Sequence, residues 1–191
     1  MFGLGAALGR SAWAARALPP SPATAETEAD TEYSVKAAFL YNFLGYTTWP
    51  KGTFEKEDSP IELLVLGKDP FGDILEDALR GKLIGKRPVK ISRAKTLPEK
   101  CTANVVFACE LDKDEQAEMI GELGKRPVLL IGETPGFAEA GGTINFFLDK
   151  ARVRFEINAE EAKASGLTLS SQLLKLAKIV KTKQKKGGDG K

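Results

Sequence analysis

What most restricts the fold of this chain is an alternation, between residues 61 and 131, of short apolar runs with amphipathic stretches. Ile61 to Leu66 is too short for a stable helix and nearly continuously apolar, as a parallel strand buried on both faces must be. The turn Gly67-Lys68-Asp69-Pro70-Phe71-Gly72 follows, and Asp73 to Leu79 continues as helix with Ile74, Leu75, Ala78 and Leu79 inward. The unit recurs in strands at Pro88 to Ser92 and Asn104 to Cys109, a helix from Asp112 to Leu123 and a strand at Pro127 to Ile131. Such alternation predicts an α/β fold, a mostly parallel sheet flanked by helices on both faces.

The segments on either side add a leading helix and a different ending. Val35, Ala38, Phe39, Asn42, Phe43 and Tyr46 follow helical spacing, with Asn42 the polar exception, and Trp49-Pro50 stops that helix. After Gly141-Gly142, strands at Thr143 to Leu148 and Ala151 to Ile157 form a β-hairpin. An Asp149-Lys150 turn pairs Leu148 with Ala151, Phe146 with Val153 and Ile144 with Phe155, an apolar face. The other face pairs Phe147 with Arg152, Asn145 with Arg154 and Thr143 with Glu156. Two C-terminal helices close the fold. The first has Asn158 as N-cap, Glu161 completing a capping box and Gly166 as stop. The second starts at Ser170-Ser171 and buries Leu173, Leu176, Ala177 and Val180.

Composition then narrows the chemistry. The 191 residues suffice for one domain with a real core, and 42% apolar with 28% charged residues is ordinary for a globular chain. Histidine is absent, which removes the commonest general base and zinc ligand and every triad built on it. A net charge of +2 conceals a basic tail, Lys181 to Lys191, on a slightly acidic body, so no broad nucleic-acid face is expected. Neither Gly-x-Gly-x-x-Gly nor Gly-Lys-Ser/Thr occurs. Cys101 and Cys109 bracket a predicted strand, whose eight-residue span of about 26 Å is far beyond the roughly 7 Å a disulfide allows. No metal or cofactor is expected from two cysteines without histidine.

Four residues are candidate ligand contacts because they follow strand ends: Gly67 and Asp69 after the first, Gly132 and Thr134 after the last parallel one. The alternative at each place is a plain tight turn. Arg154 and Glu156 share one strand face about 6 to 7 Å apart, as either a surface salt bridge or a recognition pair. Glu160-Glu161 fits a helix first turn better than acid–base work.

Residues 1–32 read as a leader. Arg10, Arg16, many alanines and Ala23-Thr24-Ala25 suit a secretory signal peptide with a short h-region, a disordered leader, or an organelle transit peptide. Residues 33–180 form the domain, and 181–191 a flexible basic tail. No run of about 20 apolar residues predicts a transmembrane segment.

Taken in order, Val35-Lys36-Ala37-Ala38-Phe39-Leu40-Tyr41-Asn42-Phe43 with Trp49-Pro50, then Gly141-Gly142-x-Ile144, Arg152-Val153-Arg154-Phe155-Glu156-Ile157-Asn158, Gly166-Leu167 and Ser170-Ser171-Gln172-Leu173-Leu174-Lys175-Leu176-Ala177 resemble the YfiR/HmsC-like family. The resemblance spans about residues 33 to 180. It implies a periplasmic α/β domain that is not an enzyme, whose namesake restrains an inner-membrane diguanylate cyclase through its periplasmic region. Lower cyclic-di-GMP output and reduced biofilm formation follow. It also implies that a homodimer is open to such a domain, and that disulfides stabilise some members. Arg154, Glu156, Ser171 and Gln172 are the expected partner contacts. A small-ligand sensor domain without a cyclase partner, using Gly67, Asp69, Gly132 and Thr134, is the alternative.

Overall fold

The computed structural model describes residues 22–183; leader residues 1–21 and tail residues 184–191 lie outside the described residues. Chain order begins α1 (Pro22–Gly45), β1 (Thr47–Thr48), β2 (Ile61–Gly67), α2 (Ile74–Leu79), β3 (Leu83–Ile84), β4 (Arg87–Ala94) and β5 (Val105–Cys109). It continues α3 (Lys113–Leu123), β6 (Leu129–Gly132), β7 (Ile144–Asp149) and β8 (Arg152–Asn158). The C-terminal part is α4 (Ala159–Ala164), β9 (Thr168–Leu169), α5 (Ser171–Leu176) and β10 (Lys178–Val180). The principal sheet has the order β10-β8-β7-β6-β5-β2-β4-β3. Its centre, from β4 across to β7, is parallel, and the predicted α/β class with helices on both faces is what forms.

Two cores lie on opposite faces of this sheet. Leu63, Val65, Val105, Phe107, Leu129, Ile131, Phe146, Phe155 and Ile157 meet α1, α2, α4 and α5 on one side. Leu64, Leu66, Val106, Ala108 and Leu130 meet α3 through Met119 and Leu123 on the other. Strands buried on both faces explain the near-continuous apolar runs. α3 begins where Asp112 accepts from the backbone N–H groups of Asp114 and Glu115, both at 2.9 Å, while Glu115 answers at the Asp112 N–H. That reciprocal cap fixes the exit direction after β5.

Three expectations need correction. The buried stripe of α1 is Lys36, Ala37, Leu40, Phe43 and Leu44, whereas Val35, Ala38, Asn42 and Tyr46 are exposed. This helix is apolar around most of its circumference, and a lysine at a core position disguised the true stripe. The hairpin register is shifted by two residues, pairing Ile144 with Ile157, Phe146 with Phe155 and Leu148 with Val153. The turn is Lys150-Ala151, and a shift of two leaves each side chain on its predicted face. Finally, Leu176 is exposed and the last helix stops there. Lys178–Val180 instead adds a parallel strand beside β8, suiting β-branched Ile179 and Val180.

The remaining local signals read as expected except the Glu161 capping box. Asn158 accepts the Glu161 N–H at 3.2 Å and caps α4. The carboxylate of Glu161 does not complete a capping box but accepts from Thr182 at 2.5 Å. Gly166, at φ +80°, and Leu167 turn back onto Lys163 and Ala162, a Schellman stop. Ser170, rather than Ser171, caps α5.

The hairpin turn carries a cost. Lys150 and Ala151 hold φ of 50° and 60°, the left-handed pair of a type I′ turn that Asn-Gly normally fills. Ala151→Gly is expected to stabilise the protein by about 1 kcal/mol, since a Cβ in that region costs roughly 1–2 kcal/mol. Urea unfolding measures it, and a destabilised variant would contradict the turn assignment.

Candidate functional site

Three places in this frame carry uncommon chemistry. The first is where the sheet changes winding direction. β2 leads over one face to β4 on one side of it, whereas β5, on its other side, leads through α3 to β6. In open α/β sheets a crevice opens at such a point, outside the carboxyl ends of the strands. Here a cavity of about 620 Å³ lies between the ends of β2, β4 and β5, and Gly67 and Asp69 both line it.

Its walls are set by a fixed arginine. Arg93, near the end of β4, donates from Nε to Asp69 Oδ2 at 2.6 Å, from Nη2 to the Gly72 carbonyl at 2.8 Å, and to both oxygens of Glu76. The other Asp69 oxygen accepts the Phe71 N–H at 2.8 Å. Arg93 is thereby a strut between strand, turn and α2, and its hydrogen bond holds the Glu76 carboxyl below the usual carboxylate range. Lys68 and Glu110 face each other at 3.4 Å across the mouth, both largely exposed.

The second place is a buried charge cluster beneath α1. Lys36, only 5% exposed at its side chain, lies 2.7 Å from Glu133 and 2.5 Å from Glu32. Its ammonium also sits 4.3 Å from the centre of the Tyr33 ring. Burial, then the Glu133 and Glu32 charges, push the Tyr33 hydroxyl well above the ordinary tyrosine range. Burial first, and Glu133 next, do the same to the Cys109 thiol. Cys101 and Cys109 are both buried free thiols, packed in opposite cores.

Raised acids stabilise the folded state only while protonated. The contribution of Tyr33 and Cys109 is therefore complete at neutral pH and is lost as pH climbs through the ordinary thiol and phenol ranges. Cys109→Ala is expected to make the alkaline decline in thermal stability shallower than in the wild type. An unchanged alkaline limb would contradict this.

Glu133 lies in the loop after the last parallel strand, a ligand candidate from sequence, but its ion pair was not legible there, because its partner stands 97 positions away. Its neighbours Gly132 and Thr134 do not line the crevice. Gly132 is covered by the Phe137 ring, 2.6 Å from where a Cβ would be, and Thr134 lends its carbonyl to Phe137 at 3.0 Å. The loop after β6 is thus packed around an ion pair.

The third place is the outward face of the hairpin, on the α3 side of the sheet. Arg152 and Arg154 are exposed, and Lys178 of β10 reaches over the Phe147 ring at 5.7 Å. Glu156 is 7% exposed and does not pair with Arg154. It accepts instead from Lys178 at 3.2 Å and from Asn145 at 3.3 Å. The Asn145 side-chain oxygen is buried without a partner among the described residues. Ser171 and Gln172 are exposed at the start of α5, but α5 packs on the other face through Leu173. The four expected contact residues therefore flank the β8–β10 edge from opposite faces. Exposed Leu148, Leu176 and Ile179 belong to the same end of the molecule.

Among the described residues no group of three or more cysteines and carboxylates is placed to hold a metal ion, and no helix is long and apolar enough to cross a membrane. Fold and sites together define a doubly wound α/β domain with a crevice at the strand ends and a sheet edge carrying exposed cations and apolar side chains. The family model for YfiR/HmsC-like proteins matches residues 33–178, and the chain belongs to that family. Membership supports a periplasmic regulatory role in general; the family is known for regulatory protein interaction and is not a known family of enzymes.

Proposed function

We propose that this protein is a non-enzymatic periplasmic regulator that binds the periplasmic region of an inner-membrane diguanylate cyclase or related sensor. Binding restrains that protein, lowering cyclic-di-GMP output and with it biofilm formation. The reading rests on membership of the YfiR/HmsC-like family over residues 33–178. The edge around β8 and β10 has the composition such docking requires. Lys178 reaches over the Phe147 ring, whose ladder partner is Arg154, and Leu148, Leu176 and Ile179 are exposed at the same end of the molecule. Interfaces draw their strength from desolvated aromatic, aliphatic and arginine anchors of this sort. Glu156 is buried beneath this surface and engaged by Lys178, and Asp149 stands opposite Arg152, which leaves Arg154 as an outward cation with no ion-pair partner among the described residues.

Affinity capture from membranes tests it. Wild-type protein is expected to retain a diguanylate cyclase or sensor protein, and Arg154→Glu to lose at least about tenfold in affinity, the equivalent of 1.4 kcal/mol. Deletion of the gene is expected to raise cyclic-di-GMP. An unchanged nucleotide level together with capture indifferent to Arg154→Glu would overturn the reading.

A further inference from the structure

We propose that the crevice at the ends of β2, β4 and β5 is a binding site for a small organic anion, its charged group held by Lys95 and Lys68 and its apolar body against Leu111. The site is independent of the docking surface and of any cyclase partner. Its position at the reversal of winding is where ligands of open α/β sheets bind. Its volume of about 620 Å³ lies in the range of roughly 300–1,000 Å³ usual for small-molecule sites.

The backbone singles out the same place. Gly67 leaves β2 at φ +99°, and Glu110 leaves β5 at φ +48°, a left-handed conformation that a glutamate holds at a cost. Non-glycine residues kept in that region cluster at binding sites, where the surrounding structure enforces them.

The lining sets Lys68, Arg93 and Lys95 against Asp69, Glu110 and Glu115, and what suits it to an anion is which of these are already engaged. Arg93 and Asp69 neutralise each other within a closed set of hydrogen bonds, so neither is free for a ligand. Glu115 is occupied by the Asp112 N–H at 2.9 Å in the α3 cap. Lys95 lines the cavity with no ion-pair partner among the described residues. Lys68 has only the exposed, long contact to Glu110, the kind of pair that contributes little and opens readily. Carboxylates and phosphate esters share the required chemistry, and titration separates them.

Amide chemical shifts of the whole chain are followed while phenylacetate, phenyl phosphate and inorganic phosphate are added separately. The expected result is movement at Gly67, Lys68, Glu110 and Leu111, stronger for one of the two organic anions than for inorganic phosphate. Lys95→Glu should weaken that binding at least about tenfold. Glu110→Gln should tighten it severalfold, because it frees Lys68. Opposite signs from two exposed neighbours are not produced by a purely structural role, and shifts elsewhere report that both variants stay folded. No movement at the crevice with any probe, movement confined to the hairpin face, or weakening by both variants would overturn the proposal.

Discussion

Gly67→Ala is expected to cost more than about 4 kcal/mol, in the rare tail of single substitutions and a large part of a typical total stability of about 5–15 kcal/mol. Gly67 is the last residue of β2 and pairs with Cys109 across the ladder. A Cβ there would lie 2.0 Å from the Cys109 carbonyl oxygen and 3.0 Å from Leu111 Cδ2. The Leu111 side chain can give way, but the carbonyl cannot. β2 is clamped between β4 and β5, so the carbonyl cannot shift without breaking parallel pairing on both sides. The φ of +99° adds a conformational penalty for any side chain. Gly72→Ala supplies the comparison, because φ is +50° there too but nothing lies within 4 Å of the added carbon. Its expected cost is about 1 kcal/mol, from conformation alone. Chemical denaturation of both variants separates contact from conformation. Equal losses for the two, or a soluble Gly67→Ala protein melting close to the wild type, would refute the close approach of β2 and β5.

Lys36→Met is expected to lose about 3 kcal/mol, the lower end of what removing one partner of a buried ion pair costs. The lower end applies because Glu133 and Glu32 keep 14% and 27% of their side-chain exposure. The loss comes from two carboxylates left facing each other under α1 without their cation, and from the ammonium removed from the Tyr33 ring. A second substitution distinguishes this from lost packing. Lys36→Met with Glu133→Leu is expected to recover more than half of the deficit, since replacing both members of a buried pair by apolar groups is often neutral. If the double variant is as unstable as the sum of the singles, the pair is not coupled and the interpretation fails.

Lys36 also shows where sequence reading ends. Helical spacing located α1, but a buried lysine is legible only through the Glu133 that neutralises it, and no local pattern connects positions so far apart. The parallel strands were legible because burial on both faces leaves a run of apolar residues that no helix of that length would need. Asn158 and Gly166 were legible because caps are local chemistry. The hairpin register was not, because Lys150-Ala151 lacks the Asn-Gly signature and its left-handed geometry is imposed by the strands. β10 escaped for a related reason: Lys178-Ile179-Val180 takes its conformation from the free edge of β8. At the crevice, Gly67 and Asp69 were recognisable from their place after a strand. Lys95 and Glu110 were not, since it takes the order of strands in the sheet to bring the ends of β4 and β5 beside them.

The aromatic contacts of α1 carry a consequence for how the chain reaches this fold. Phe39 and Phe43 pack against Phe146 and Phe155, Lys36 needs Glu133, and β1 pairs with β9 through Thr47 and Leu169. α1 can meet Phe71 and α2 early, but its contacts with the hairpin and β9 complete only after some 120 further residues have followed it, by the span from Thr47 to Leu169. Loop closure of that size precedes any reward from long-range contacts and slows folding. The packing of α1 is therefore completed last by the hairpin and the C-terminal segment, so the final fifty residues close a fold whose first half they do not themselves form.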